Sequence, residues 1–184
     1  MKWIELRRHT LTGDDKRISA AGLALAQRAA STLQEHYDRV VSSPALRCLD
    51  TLTAFGLTSY EIHEAFGTLP SLALKPHEET IAERMRENKL GLLEAYLGYE
   101  PTREIFFQKG RRVLEAIETM ARSLDESGKA LVISHGGTIE PAALVLAGSD
   151  SLMRIGGALE PCEGIAFIIE DDEVRRTERI RLPA

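Results

Sequence analysis

Apolar positions along the chain fall into two periods, and the two alternate. Trp3-Ile4-Glu5-Leu6 is a short apolar-rich run that reads as a strand and passes directly into Arg7-Arg8-His9-Thr10, after which Thr12-Gly13-Asp14-Asp15 has loop chemistry. Ser19 is suited to an N-cap, and Leu23, Ala26, Ala30 and Leu33 then recur at helical spacing, predicting a helix to about Tyr37. Arg39-Val40-Val41-Ser42 is a β-branched strand. Ser43-Pro44 predicts the next helix start, with Ser43 as cap and Pro44 at the first helical position, and Leu46, Leu49, Leu52 and Phe55 as its apolar face. Tyr60 to His63 is a candidate strand, whereas Thr68 to Pro76 has prolines and no period and reads as loop. Glu78 to Tyr96 reads as a helix weakened by Gly91. Pro101 to about Leu124 is a stronger one, with Ile105, Val113, Ile117, Met120 and Leu124 on one side.

Lys129 to His135 contains the unbroken apolar run Ala130-Leu131-Val132-Ile133, as expected of a strand buried on both faces. Gly136-Gly137-Thr138 turns it into a helix through Leu146, and Ile165–Ile169 with Val174–Leu182 forms a closing strand pair joined at Asp171-Asp172. Strands alternating with helices predict a single α/β domain over 1–184, a three-layer α/β/α sandwich around a mostly parallel central sheet. Residues from about 69 to 101 read as an insertion or lid.

Composition narrows the function. The chain has 184 residues, 43% hydrophobic and 28% charged, which is enough to bury a sizeable core. Its 23 Lys+Arg against 28 Asp+Glu give a net charge of -5, a poor balance for gripping nucleic acid or an anionic membrane. No apolar run approaches the ~20 residues of a membrane span, and the N-terminus lacks the apolar core of a signal peptide. Cys48 and Cys162 cannot make a disulfide framework or a cysteine-rich zinc site. The expectation is a cytoplasmic, reduced protein with no nucleic-acid or membrane partner, its oligomeric state open.

Three segments share one grammar, in which an apolar strand ends and polar or charged residues follow at once: Leu6-Arg7-Arg8-His9-Thr10, Val41-Ser42-Ser43-Pro44-Ala45-Leu46-Arg47 and Ile133-Ser134-His135-Gly136-Gly137-Thr138. Parallel sheets bind ligands at the carboxyl ends of their strands, so His9, His135, Arg8 and Arg47 are predicted to converge. Strand alternation turns Arg7 to the opposite face from Arg8. Arg47 falls in the first turn of its helix, where a cation is unfavourable unless an anion is bound. Guanidinium forks match phosphate oxygens, and a neutral imidazole beside them is a good nucleophile for phosphorus. A Gly-rich phosphate loop with Lys is missing, as is the carboxylate cluster of a magnesium site, so no metal and no cofactor are expected. His36, His63 and His77 lack such context, and Cys48 is expected to pack.

Arg8-His9-Thr10 after the first strand resembles the Arg-His-Gly signature of the histidine phosphatase superfamily, the phosphoglycerate mutase-like fold. Ser42-Ser43-Pro44-Ala45-Leu46-Arg47 followed by Asp50-Thr51 resembles the second signature of that family, and Ser134-His135-Gly136-Gly137-Thr138 the third, in family order. The resemblance implies a metal-independent phosphatase with a phosphohistidine intermediate on His9, and phosphate held by Arg8, Thr10, Arg47, His135 and Gly136. The substrate would be a small phosphorylated compound or a phosphohistidine protein. Thr10 departs from the glycine of the pattern, and its hydroxyl is a candidate phosphate donor. The family's acid stands four residues before an aromatic–Gly pair; here Phe66-Gly67 is preceded at that distance by His63, with Glu64 one residue on. Glu64 is the leading candidate for the proton donor, with Glu78, Glu79, Glu83 and Glu140 as alternatives, although Glu140 is placed where acids cap a helix. Two other functions stay open. One is phosphoglycerate mutase-type phosphoryl transfer, for which Arg84, Arg86 and Lys89 in the lid would be the extra basic residues. The other is a catalytically weak module that binds phosphorylated ligands.

Overall fold

The computed structural model describes residues 1–183. Six strands form one sheet: β1 (Lys2–Arg8), β2 (Arg39–Ser42), β3 (Glu61–Ile62), β4 (Lys129–Ser134), β5 (Gly164–Glu170) and β6 (Glu173–Ile180), in the order β3-β2-β4-β1-β5-β6. β3, β2, β4 and β1 run parallel, while β5 and β6 are antiparallel additions at one side. The fold is thus α/β with a mostly parallel sheet, as the alternating pattern predicts. The register pairs Arg8 with Ser134 and Ser42 with Ile133, so the three motif-bearing strands end at one edge.

The side-chain alternation of β4 builds both layers. Ala130 and Val132 pack with Ile4, Leu6, Val113, Ile117 and Ile139, under α6 (Glu100–Arg122) and α7 (Ile139–Ala147). Leu131 and Ile133 pack with Ala26, Ala29, Cys48 and Leu52, under α1 (Ala20–Ala29) and α2 (Leu46–Ala54). On β1 the same alternation separates the two arginines. Arg7 is fully buried on the α1 side, where its guanidinium meets Glu5 at 2.5 Å and donates to the carbonyls of Cys162 and Thr32. α6 and α7 cross closely at Gly110, where a Cβ would stand 2.5 Å from the Pro141 carbonyl oxygen, so the residue that seats α7 against α6 has none.

Several boundaries differ from those the sequence predicts. α1 ends at Ala29 and tightens into a 3-10 turn at Ala30–Thr32 instead of running to Tyr37. The hydroxyls of Ser31 and Thr32 donate to the carbonyls of Arg28 and Ala29, which competes with further helical turns. The buried face of α2 is Cys48, Thr51, Leu52 and Phe55, and Leu46 is 50% exposed. A spacing of three throughout, as in Leu46, Leu49, Leu52 and Phe55, drifts around a helix of 3.6 residues per turn. On α6 it is Phe106, not Ile105, that is fully buried. The stretch predicted as loop contains α3 (Ser71–Leu74) and a 3-10 turn at Lys75–His77. The single helix predicted over 78–96 is two, α4 (Glu78–Asn88) and α5 (Leu92–Leu97). Lys89 ends α4 in the left-handed region at φ 53, and the Glu94 carboxylate starts α5 by accepting the Gly91 N–H at 2.8 Å. Arg84 ties the two together by donating to the Gly98 carbonyl. Asp171 and Asp172, both at positive φ, make the tight turn between β5 and β6. No helix among the described residues is long and apolar enough to cross a membrane.

Candidate active site

The ends of β1, β2 and β4 bring His9, Arg47 and His135 into one hydrogen-bonded cluster. Arg47, at the second position of α2, donates through Nε to His9 Nε2 at 3.0 Å and through a terminal nitrogen to His135 Nδ1 at 3.0 Å. The two imidazoles meet edge-on with centroids 5.3 Å apart. A guanidinium only donates, so both contacted ring nitrogens must carry lone pairs. The remaining protons are thereby fixed. His9 Nδ1–H donates to the Thr10 carbonyl at 2.7 Å, and His135 Nε2–H donates to Ser43 Oγ at 2.7 Å. His9 therefore presents an unprotonated Nε2 toward the centre of the cluster.

Electrostatics hold both rings neutral. Burial, and then the charges of Arg47 and Arg8, lower the His9 pKa to about 4 against a partly offsetting bond to Thr10. Burial and Arg47 lower that of His135 to about 3. Between these values and the ordinary 6.5 the unfolded chain binds the extra protons. The stability this linkage supplies is present above the ordinary 6.5 and is lost as pH falls through about 4 for His9 and about 3 for His135, by up to about 1.4 kcal/mol per pH unit for each ring. Glu140, raised to about 7, acts in the opposite sense between about 4.5 and 7. Urea unfolding of His135→Asn should show a pH slope flatter by about one proton than that of the parent below pH 6.5. An unchanged slope would mean that His135 is not held neutral.

Arg8 lies on the α6/α7 side of β1 and donates to the Leu159 carbonyl at 2.5 Å. Gly136 adjoins it: a Cβ there would sit 3.4 Å from Arg8 Nε and 3.5 Å from Glu140 Oε1. Among the described residues no protein acceptor takes the N–H of Gly136 or Gly137, so both are free for a ligand. Thr10 is different from the expectation. Its hydroxyl donates to the Gly22 carbonyl at 2.8 Å and its N–H to Thr51 Oγ1 at 3.2 Å, so it is a structural clasp and has no donor left for phosphate. Gly22 can come this close because it has no Cβ, which would otherwise stand 2.1 Å from the Leu11 carbonyl oxygen.

Ser43 corrects a second expectation. α2 begins at Leu46 with Ala45 as its N-cap residue, and the Ser43 hydroxyl, which accepts the Ala45 N–H at 3.3 Å, also takes the bond to His135, 92 residues away. Thr51, a member of the second motif, couples Arg47 to the segment after β1, donating to the Arg47 carbonyl at 2.6 Å while accepting from Thr10. Cys48 Sγ lies 3.7 Å from His135 Nε2, but burial pushes its thiol up to about 12, so it packs as expected.

None of the candidate acids hydrogen-bonds to His9, Arg47 or His135. Glu64 is exposed in a 3-10 turn after β3 and lines a cavity of about 530 Å³ with Lys109 and Arg112. Lys109 links that cavity to the cluster, since its ammonium, bound to the Ala65 carbonyl at 2.8 Å, acts electrostatically on both Glu64 and His135. Glu78, Glu79 and Glu83 are exposed on α4. Glu140 is fully buried beside Gly136. His63 accepts the Ala65 N–H, His36 approaches Asp38, and His77 meets Tyr99 edge to face, all away from the cluster.

The fold recurs in solved structures. Phosphoserine phosphatase of Entamoeba histolytica in complex with 3-phosphoglyceric acid superposes with a TM-score of 0.66 at 15% identity, covering 98% of each chain. YhfR of Bacillus stearothermophilus gives 0.70 at 16% identity over 96% of this chain and 95% of that one. Mycobacterial glucosyl-3-phosphoglycerate phosphatase complexed with VO3 gives 0.68 at 16% identity over all of both chains. At these identities the likeness is one of fold. No curated protein sequence matches the chain significantly. The sequence model of the histidine phosphatase superfamily (branch 1) matches residues 2–169, and the chain belongs to that superfamily.

Proposed function

We propose that this protein is a metal-independent phosphatase that hydrolyses small phosphomonoesters through a phosphohistidine on His9. The observation that carries this is the fixed tautomer of His9: Nδ1–H is held by the Thr10 carbonyl, and the bare Nε2 faces Arg47. His9 Nε2 attacks phosphorus as the bond to the leaving oxygen breaks. Arg8, Arg47, His135 and the Gly136 N–H bind the non-bridging oxygens and offset the charge that spreads over them. The anion displaces Arg47 from the imidazoles, and its charge lets His135 take a proton at Nδ1 and donate it. Water then attacks the phosphohistidine, the P–N bond breaks, and His9 regains its lone pair.

Glu64 is the proton donor in this scheme, and the base for the attacking water in the second step. In its favour are its place just past the sheet edge and the charge coupling through Lys109. Residues 69–101 act as the cap of the site. Leu69 and Leu93 reach Gly137, with side-chain atoms 3.0 and 3.6 Å from a Cβ placed there. The solved relatives named for phosphoserine and glucosyl-3-phosphoglycerate favour small phosphorylated metabolites as substrates.

The test is phosphate release in the presence of chelator, over O-phosphoserine, 3-phosphoglycerate, an alkyl phosphate, an aryl phosphate and a phosphohistidine protein. Turnover without metal is expected. Activity abolished by chelator and restored only by magnesium or zinc would overturn the proposal. In the same panel Glu64→Gln should slow the alkyl phosphate by roughly 100-fold and the aryl phosphate far less. Equal, small losses on both would remove Glu64 from the scheme.

A further inference from the structure

Glu140 is an acid with no role in that scheme, yet it is built into the wall of the site. It lies in the first turn of α7, four residues after Gly136, and is fully buried. Its Oε1 accepts the Leu159 N–H at 2.9 Å, while its Oε2 has no partner at all. The carbonyl of the same Leu159 accepts from Arg8. Acid and guanidinium thus grip opposite ends of one residue. They also flank the same Gly136, yet the Glu140 carboxylate is bonded to the Leu159 N–H and not to Arg8. An unpaired carboxylate in a dry pocket is costly when ionised, and a nearby anion makes it more so.

We propose that Glu140 positions Arg8 through Leu159 and takes up a proton when an oxyanion occupies the site. Across Gly136 the charge of Arg8 partly compensates that of the acid. When the anion recruits the charge of Arg8, that compensation is withdrawn, and Glu140 binds a proton from solvent. The bond to Leu159 survives, because Oε1 remains an acceptor in the neutral acid. The site would therefore hold anions more tightly when Glu140 is neutral. The inference rests on the assignment of Arg8 to the anion.

The surroundings set the pH range. The charged groups facing Glu140 are Arg8 from β1 and Arg179 from β6, and burial outweighs both to raise it to about 7. Arg179 is itself engaged by Glu163 at 2.6 Å and by the carbonyls of Gly157 and Ala158. α6 meets α7 through Gly110, which has no side chain.

Sulfate is the suitable probe, because it stays a dianion across the range. Between pH 6 and pH 8.5 wild-type affinity for sulfate should fall by roughly tenfold more than that of Glu140→Gln, which should bind more tightly than the wild type at pH 8.5. Calorimetry in buffers of different ionisation enthalpy should show proton uptake at pH 7.5 in the wild type that is larger than in Glu140→Gln. Any uptake by the imidazoles remains in the variant and cancels. Parallel pH curves with equal proton uptake would overturn the proposal, leaving Glu140 a structural residue. If Glu140→Gln does not fold, wild-type calorimetry still tests the proposal, because no proton uptake near pH 7.5 overturns it. Sulfate binding that Arg8→Ala leaves unchanged would instead overturn the assignment of Arg8, with the inference resting on it.

Discussion

Replacing His9 with alanine should reduce turnover of a phosphomonoester by roughly 10⁴-fold or more, the scale of losing a nucleophile from an otherwise intact site. The loss should be in kcat. In the proposed scheme Arg8, Arg47 and the Gly136 N–H hold the phosphoryl oxygens without His9, so inorganic phosphate should bind the variant with an affinity near that of the parent. Removing the ring also removes one acceptor of the Arg47 guanidinium, which frees a donor for the anion. Rapid acid quench is the wrong way to see the intermediate, because a phosphoramidate is lost in acid; quenching in alkali and mapping the label should place phosphate on His9 Nε2. The nitrogen matters, since Nδ1 is already committed to the Thr10 carbonyl at 2.7 Å. An enzyme that turns over normally with alanine at position 9, or that carries label on another residue, would exclude the mechanism.

What the sequence revealed of this site follows from where its chemistry is stored. His9 and His135 each follow directly on an apolar strand, and in a parallel sheet that position alone sends them to one edge. Arg8 and Arg7 were separable by the period of two in a strand: Arg7 turned to the opposite layer and its buried partner Glu5 stands two residues before it on the same face. Contacts that depend on distant parts of the chain were not readable. Ser43 has the local chemistry of a cap, and its shorter bond goes to His135, which the sequence places 92 residues away. The Thr10 hydroxyl looks like a ligand donor until the approach of Gly22 is known. Glu140 fits a helix start by charge, and only the packing of Leu159 and Gly136 around it shows that the carboxylate is sealed from solvent. The split of α4 from α5 needed a left-handed Lys89, a conformation that lysine rarely adopts and that no periodicity signals.

Arg47→Ala should cost about as much as any change short of His9. One guanidinium holds both imidazoles, and in the proposed reaction it moves to the phosphoryl oxygens. Two charge-assisted contacts worth roughly 1.5–3 kcal/mol each correspond to a loss of about 10²- to 10⁴-fold in kcat/KM. Arg47→Lys should recover only a small part, because a single ammonium cannot reproduce a planar fork that meets two acceptors 3.0 Å away at once. The variant also has an electrostatic signature that a purely steric defect lacks. Arg47 is among the causes that lower both imidazoles, so its removal should raise the pKa values of His9 and His135 from about 4 and 3. Because the nucleophile must be neutral, the acid limb of the kcat/KM profile should move to higher pH in Arg47→Ala, and imidazole NMR titration should show the same displacement. An unmoved acid limb, with affinity for phosphate unchanged, would mean that Arg47 neither sets the charge state of the histidines nor holds the transferred group.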